Sequence, residues 1–495
     1  MSVTMVEKEV KTAERLFAGT GVLLPNHAPE ILIEGVTCDS RKVKAGDLFF
    51  ALPGFHTDGA KFIANAVESG AVLVVAERHV DCDVPLIECA PARRVLAEVS
   101  SNFYGNPSAD LRVIGITGTN GKTTVCGMVK SIFEATGIKT AQFGTLGYVT
   151  GEKFENPVNT TPESKELQRL MRESVDNGCK AVVFEVSSHA LAMYRVHAVD
   201  FDMGVFTNLT SEHLDFHKDI ENYFMTKRQL FEDLRSKNRT AIINIADPYG
   251  RRICGIEGLD VFSYGDDGGA EIYTIENNIL PRYSDVTIGT PRGPITMKIN
   301  IPGRFNIDNV MAAVAVGIKC GIKRDSIREG LESFKSPAGR MQNLDFGQPY
   351  NIIIDFAHTP DALMKMLFSV KEFTKGRVIT LFGCGGNKDG TKRAPMAQAV
   401  AGFSDKVILT SDNPRSENPE TIMDEVERGF PPGFDFRRIS KRDEAIRYAL
   451  ELAGDDDTVV LAGKGHENYQ IYGDEALYFS EEEIVRDFLK KERKN

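Results

Sequence analysis

Short apolar runs, each closed by a polar or glycine-rich break, recur along most of the 495-residue chain. Runs at 71–77, 111–117, 181–186, 203–208, 241–244, 352–356, 378–382, 406–410 and 458–462 have the length and composition of parallel strands buried on both faces. Helical stretches fall between them, including 124–133 and the Ala- and Val-rich 309–317. This alternation predicts an α/β architecture. A more strand-like passage at 271–301 interrupts it.

Two turn-rich joints, Tyr104-Gly105-Asn106-Pro107-Ser108 and Phe334-Lys335-Ser336-Pro337-Ala338-Gly339, divide the chain. At roughly 100 to 200 residues per domain, three domains are expected. They are a smaller N-terminal α/β domain over 1–109, a central P-loop ATPase-like domain with a parallel-type sheet over 110–336, and a C-terminal Rossmann-like domain over 337–495. Ligands gather at the carboxyl ends of strands in open α/β sheets, so the loops after 356, 382, 410 and 462 are candidate site walls.

The balance of 42% hydrophobic and 26% charged residues is that of a globular protein. A net charge of −11 argues against nucleic acid as a partner, because binding that polyanion needs clustered Lys and Arg. No stretch approaches the ~18 apolar residues of a membrane span, and the N-terminus lacks a basic-then-apolar signal pattern. A cytoplasmic protein without membrane insertion is expected. The eight cysteines form no C-x-x-C pair, which predicts reduced, mostly buried thiols rather than a disulfide framework or zinc knuckle.

The segment Gly118-Thr119-Asn120-Gly121-Lys122-Thr123-Thr124 lies between a predicted strand and a predicted helix, the context in which backbone N–H groups cradle phosphate. Lys122 would reach the terminal phosphates of ATP, and the Thr123 hydroxyl would hold Mg²⁺. A general P-loop has Gly at the position of Ile116. Glu185 closes an apolar strand, as either a salt-bridged buried carboxylate or an oxygen ligand for Mg²⁺. His213 and His217 stand at zinc-pair spacing without a suitably spaced third ligand. Taken alone, Lys227 reads as a solvated helix lysine, Arg340 as a surface charge and Asp39-Ser40-Arg41 as a capped turn.

The ordered set of motifs resembles the Mur ligases of peptidoglycan synthesis over nearly the whole chain. The matching segments are 39–50, 118–124, Asn159-Thr160-Thr161-Pro162, 185–189, 207–213, 223–227, Gly339-Arg340, 355–361, 383–386, Asp412-Asn413-Pro414-Arg415 and 463–467. The resemblance implies an ATP-dependent amide ligase, monomeric, that moves the γ-phosphate of ATP onto a carboxylate and lets an amine attack the acyl phosphate. It implies a catalytic set of Lys122, Glu185, His213 and Lys227. Thr123, Glu185 and His213 would serve two Mg²⁺ ions together with a CO₂-derived carbamate on Lys227, which replaces a repelling ammonium by an oxygen anion.

By the same carry-over, ATP would be lined by Gly118, Thr119, Asn120, Gly121, Lys122, Thr123 and Thr124 with Asn306, Arg340, Asp355 and His358. The substrate UDP-MurNAc-L-Ala-D-Glu would meet Ser40, Phe55, His56, Thr57, Asn159, Thr160, Thr161, Ser187 and Arg195. Arg415 offers a planar fork for a carboxylate, so a diamino acid with a second carboxylate fits better than lysine. In the family this motif marks diaminopimelate addition, so meso-diaminopimelate is the expected third substrate, with Arg393, Asp412, Asn413, Pro414, Gly463 and Glu467 completing the site.

Met193, Gln342, Phe356, Asn387-Lys388 and Ala394 depart from commoner family residues. Alternatives are a lysine-adding or folylpolyglutamate-type ligase, disfavoured by 39–50 and Arg415, and a nucleotide-binding scaffold without turnover, disfavoured by the catalytic set. The C-terminal domain is expected to close on binding.

Overall fold

The computed structural model describes residues 10–54, 57–234, 239–266 and 268–492. The contacts expected of Phe55 and His56 fall outside these residues.

Four parallel strands, Gly35–Thr37, Asp47–Ala51, Leu73–Ala76 and Leu86–Glu88, pair in chain order as the first sheet. Successive side chains of a strand point to opposite faces. Leu48, Phe50, Leu73 and Val75 therefore enter one core with the helix Ala92–Phe103, while Phe49, Ala51, Val74 and Ala76 enter another.

The central sheet has eight strands in the order Lys153–Glu155, Gly147–Thr150, Thr140–Gly144, Ala181–Glu185, Arg112–Thr117, Met203–Phe206, Thr240–Asn244, Asp260–Tyr264. The first two form an antiparallel edge, and the other six are parallel. Arg112–Thr117 lies inside the sheet, which explains why Val113, Ile114 and Ile116 make an unbroken apolar run. The passage at 271–301 forms a separate antiparallel sheet of Tyr273–Ile279, Ser284–Gly289 and Ile295–Ile299.

Val310 to Val316 are all fully buried, so this stretch of the helix Arg304–Lys319 is apolar all round. Such a helix must be covered on every side. It packs against the helix Lys122–Glu134 and against Pro360–Phe373, which belongs to the next sheet domain.

The C-terminal sheet runs Gln342–Asn343, Asn351–Asp355, Thr458–Ala462, Val378–Phe382, Lys406–Leu409, Phe436–Arg438, parallel except for its first strand. The carboxyl ends of four parallel strands thus share one edge, where the predicted wall loops begin. Two sequence expectations need correction. Only Cys126, Cys179 and Cys384 are buried, and the other five free thiols are half-buried. Lys227 is not a solvated helix lysine, because it is 1% exposed. No helix among the described residues is long and apolar enough to cross a membrane.

Candidate active site

The interior strand Arg112–Thr117 delivers Gly118 at φ 141°, where a Cβ would stand 1.9 Å from Thr207 Oγ1. At Gly121, φ is 88° and a Cβ would meet Asn309 Oδ1 at 2.3 Å. Both positions require glycine. Ile116 sits earlier, in the buried strand itself, so the loop makes no demand for glycine there. Thr119 N donates to Asn208 O (2.8 Å) and Asn120 N to Asn208 Oδ1 (3.0 Å), which fixes the loop to the end of the neighbouring strand. Lys122 Nζ donates to Gly118 O (2.9 Å) and Thr119 O (2.8 Å), and burial holds its ammonium below the usual lysine range.

A cavity of about 530 Å³ opens over this loop. Thr119 to Thr124, Thr160, Glu185, Ser187, His213, Asn306, Arg340, Asp355 and His358 all line it, so one space unites most of the predicted nucleotide and phosphate-transfer residues. Glu185 is 2% exposed, and its Oε1 accepts from Thr123 Oγ1 and from Thr145 N, both at 2.9 Å. Its carboxylate has no ion pair among the described residues, so hydroxyl and amide donors stabilise it rather than a salt bridge.

Lys227, on the helix Ile220–Glu232, places Nζ 2.9 Å from Gly118 O and over the Tyr223 ring at 4.6 Å. Desolvation, reinforced by Lys122, pulls its ammonium well below the usual lysine range. His213 adopts φ 56°, and its ring meets that of His189 edge-on at 4.9 Å. Burial pushes the His213 pKa down to about 4, which leaves a neutral imidazole able to ligate. Among the described residues, no group of three or more His, Cys, Asp or Glu is arranged to hold a metal by itself.

The C-terminal sheet supplies the opposite wall. Asp355 Oδ2 accepts from Met341 N and Oδ1 from Ala357 N, both at 2.7 Å, while burial raises its pKa. Arg340 is half-buried over the Phe356 ring at 4.8 Å rather than free on the surface. Asn120 Nδ2 donates to Asp361 Oδ2 (3.3 Å), so the 118–124 loop touches the helix Pro360–Phe373 directly. His358 Nε2 lies 3.9 Å from Glu212 Oε1 across the same boundary.

Family models match three segments: Mur ligase family, catalytic domain at 32–104; Mur ligase middle domain at 116–317; and Mur ligase, glutamate ligase domain at 339–465. A Clostridium acetobutylicum relative, UDP-N-acetylmuramoyl-L-alanyl-D-glutamate--2,6-diaminopimelate ligase 1, is 42% identical over 93% of this chain and 95% of its own. A Geobacter metallireducens diaminopimelate ligase is 42% identical over 92% of this chain and 93% of its own. The chain belongs to the Mur ligase family. A solved diaminopimelate ligase of this family superposes at TM-score 0.70 with 28% identity over 98% of this chain and 99% of that one. A folylpolyglutamate synthase from Mycobacterium tuberculosis, complexed with ADP, shares the fold at TM-score 0.62 and 19% identity, covering 74% of this chain and 91% of that one.

The residues predicted for the UDP-substrate divide into two groups, one at the cavity, where Thr160 and Ser187 line it, and one in the first sheet domain. Thr161 Oγ1 donates to Glu185 O (2.7 Å) and accepts from Ser187 N (3.0 Å), and Arg195 donates to Thr161 O (3.1 Å). Tyr148 hydrogen-bonds Asn159 N at 3.2 Å, which brings 159–161, Ser187 and Arg195 together beside the cavity. Ser40 and Thr57 belong to the first sheet domain, where Ser40 opens a short 3-10 turn capped by Asp39. The Arg93–Glu163 ion pair (2.8 Å) links that domain to the 159–163 segment.

The residues predicted for the amino acid form another cluster, beyond the cavity lining. Asn413 Nδ2 donates to Glu467 Oε2 (2.8 Å), and Lys464 Nζ donates to Asn413 Oδ1 (3.0 Å). A Cβ on Gly463 would stand 2.9 Å from Asp412 Oδ2, so Gly463 and Asp412 abut. Arg415, at φ 53°, donates to Gly386 O (2.8 Å) and Asn413 O (3.4 Å), and Pro414 lies buried between them. Arg393 is buried with both terminal nitrogens engaged, to Glu417 and Glu425 at 2.8 Å each. It therefore stands behind the Arg415 loop, tied to it through Glu417.

Asn309, Glu212, Asp308 and Thr145 also line the cavity, and none of them is among the site residues expected from the sequence. The Asn306-x-x-Asn309 spacing was the available signal, since residues three apart share a helix face. Asn309 Nδ2 does donate to Asn306 Oδ1, at 2.9 Å.

Proposed function

We propose that this chain is the ATP-dependent ligase that joins meso-diaminopimelate to UDP-MurNAc-L-Ala-D-Glu in peptidoglycan precursor synthesis. Full-length similarity to diaminopimelate-adding ligases carries the reading. The ADP-bound relatives of the same fold support ATP as the nucleotide.

The reaction divides as the cavity divides. The phosphate loop and Lys122 hold the polyphosphate, and the 159–161 segment with Ser187 and Arg195 presents the substrate carboxylate next to it. The carboxylate oxygen attacks the γ-phosphorus, the bond to the β,γ-bridging oxygen breaks, and ADP leaves. The diaminopimelate amine then attacks the acyl carbon, loses a proton and expels phosphate. Asn413, Arg415 and Glu467 would hold the amino acid by its carboxylate and ammonium groups.

The hard oxygen donors fit Mg²⁺: a buried carboxylate without a cation partner, Glu185, bonded to the Thr123 hydroxyl. When bound, Mg²⁺ supplies charge neutralisation for phosphoryl transfer. We assign Thr123, Glu185, His213 and a carbamate of Lys227 to holding it. The low ammonium pKa of Lys227 favours the neutral amine that attacks CO₂. The reading also takes the enzyme as a cytoplasmic monomer.

The test is the product. Incubation with ATP, the UDP-dipeptide and meso-diaminopimelate gives a UDP-tripeptide by mass spectrometry with one phosphate released per product, and omission of any substrate abolishes both. Phosphate release without the amide product contradicts the reading.

A further inference from the structure

The loops at 412–415 and 463–467 leave strands Lys406–Leu409 and Thr458–Ala462, which are not neighbours, because Val378–Phe382 lies between them. The two ladders through Val378–Phe382 set the strands apart, and the loops beyond the strand ends are joined by side chains. Arg442, the first residue of the helix Arg442–Leu452, is 1% exposed and spans this gap. Its Nη2 donates to Ala462 O (2.8 Å) and its Nη1 to Ser411 O (3.4 Å), the residues immediately preceding Gly463 and Asp412. Nε donates to Glu481 Oε1 (2.8 Å), and Nη1 lies 3.9 Å from Asp412 Oδ2.

A planar guanidinium spreads its donors over a rigid fork, so it reaches carbonyls at two separated strand ends and a carboxylate at once, a span that the single nitrogen of an ammonium does not cover. Glu481 opens the last helix, is itself buried, and keeps the fork oriented. Above the tie, Lys464 and Asn413 close the same two loops with Glu467. We infer that Arg442 is a positioning residue for the amino-acid site, holding the Asp412 and Gly463 loops at the separation that fits a diamino acid. This rests on the reading that these loops bind the amino acid.

Replacing a buried ion pair by apolar residues of similar volume commonly preserves stability, whereas removing one partner does not. The test therefore uses the double variant Arg442→Met with Glu481→Met, and separately Arg442→Lys, both checked by thermal melting. Phosphate release is measured with meso-diaminopimelate varied at saturating ATP and UDP-dipeptide, then with ATP varied.

The expected result for the folded variants is a fall in kcat/KM for the amino acid on the order of a hundredfold, the scale of a ~1 Å misplacement, with KM for ATP unchanged. Parent-like kcat/KM in either folded variant overturns the inference. So does an equal loss toward ATP, which marks general loosening. A parent enzyme inactive with diaminopimelate overturns the functional reading, and this inference with it.

Discussion

Thr123 Oγ1 and Glu185 Oε1 lie 2.9 Å apart although 62 residues separate them in the chain. Parallel pairing of Ala181–Glu185 with Arg112–Thr117 creates this meeting, because it brings a strand end alongside the start of the phosphate loop. Glu185→Gln keeps the size and removes the charge. We expect kcat to fall by about a hundredfold or more, with a higher Mg²⁺ requirement and no loss of melting temperature. Phosphate release titrated with Mg²⁺ checks this, and an unchanged Mg²⁺ dependence would count against the metal assignment.

Lys227 is buried against Gly118 O and the Tyr223 ring, so its side chain can be shortened without exposing new charge. Lys227→Ala should lower turnover by on the order of a thousandfold while leaving the fold intact. Short carboxylic acids added to the assay should restore part of the activity by supplying the missing oxygen anion. Full activity without any acid would rule out a carbamate role.

Lys227 also marks where sequence reading stops. Strands 378–382 and 458–462 coincide with the observed Val378–Phe382 and Thr458–Ala462, because strands buried on both faces write themselves as unbroken apolar runs. The loop at 118–124 was equally legible, since its glycines answer backbone demands at Gly118 and Gly121. Burial of a lysine leaves no such trace: Thr226-Lys227-Arg228 is locally a polar helix surface, and only the packing of Ile220–Glu232 under the phosphate loop decides its environment. Arg442 was invisible for the same reason. Its partners Ser411, Ala462 and Glu481 are distant in sequence, and strand order alone brings them together.

Asp308 lines the cavity over the 118–124 loop, and burial, with Asp266 adding repulsion, raises its pKa from 3.8 to about 7. The folded state therefore binds its proton more tightly than the unfolded state does. Its stabilising contribution is present below pH 3.8 and is lost as pH rises through about 7. Each pKa unit corresponds to about 1.4 kcal/mol before solvent screening. Asp308→Asn should thus gain melting temperature relative to the parent as pH goes from 5 to 8 in thermal scans. A constant gap across that range would contradict the assignment.

Arg415 is held by Gly386 O and Asn413 O, so its fork is pre-oriented by the loop after Val378–Phe382 and by its own loop. Arg415→Lys keeps the charge and loses the bidentate geometry. We expect kcat/KM for meso-diaminopimelate to fall by about a hundredfold, with KM for ATP unchanged. Steady-state kinetics with each substrate varied in turn checks the split, and a rise in KM for ATP of similar size would point to a role outside amino-acid binding.

The most direct measurement compares amino acids on the unmodified enzyme. Phosphate release is followed with ATP, Mg²⁺ and UDP-MurNAc-L-Ala-D-Glu, adding meso-diaminopimelate, L-lysine or L-glutamate in turn. Turnover is expected with meso-diaminopimelate, with a much lower kcat/KM for the other two. Preference for L-lysine or L-glutamate, or no turnover with any of the three, would contradict it.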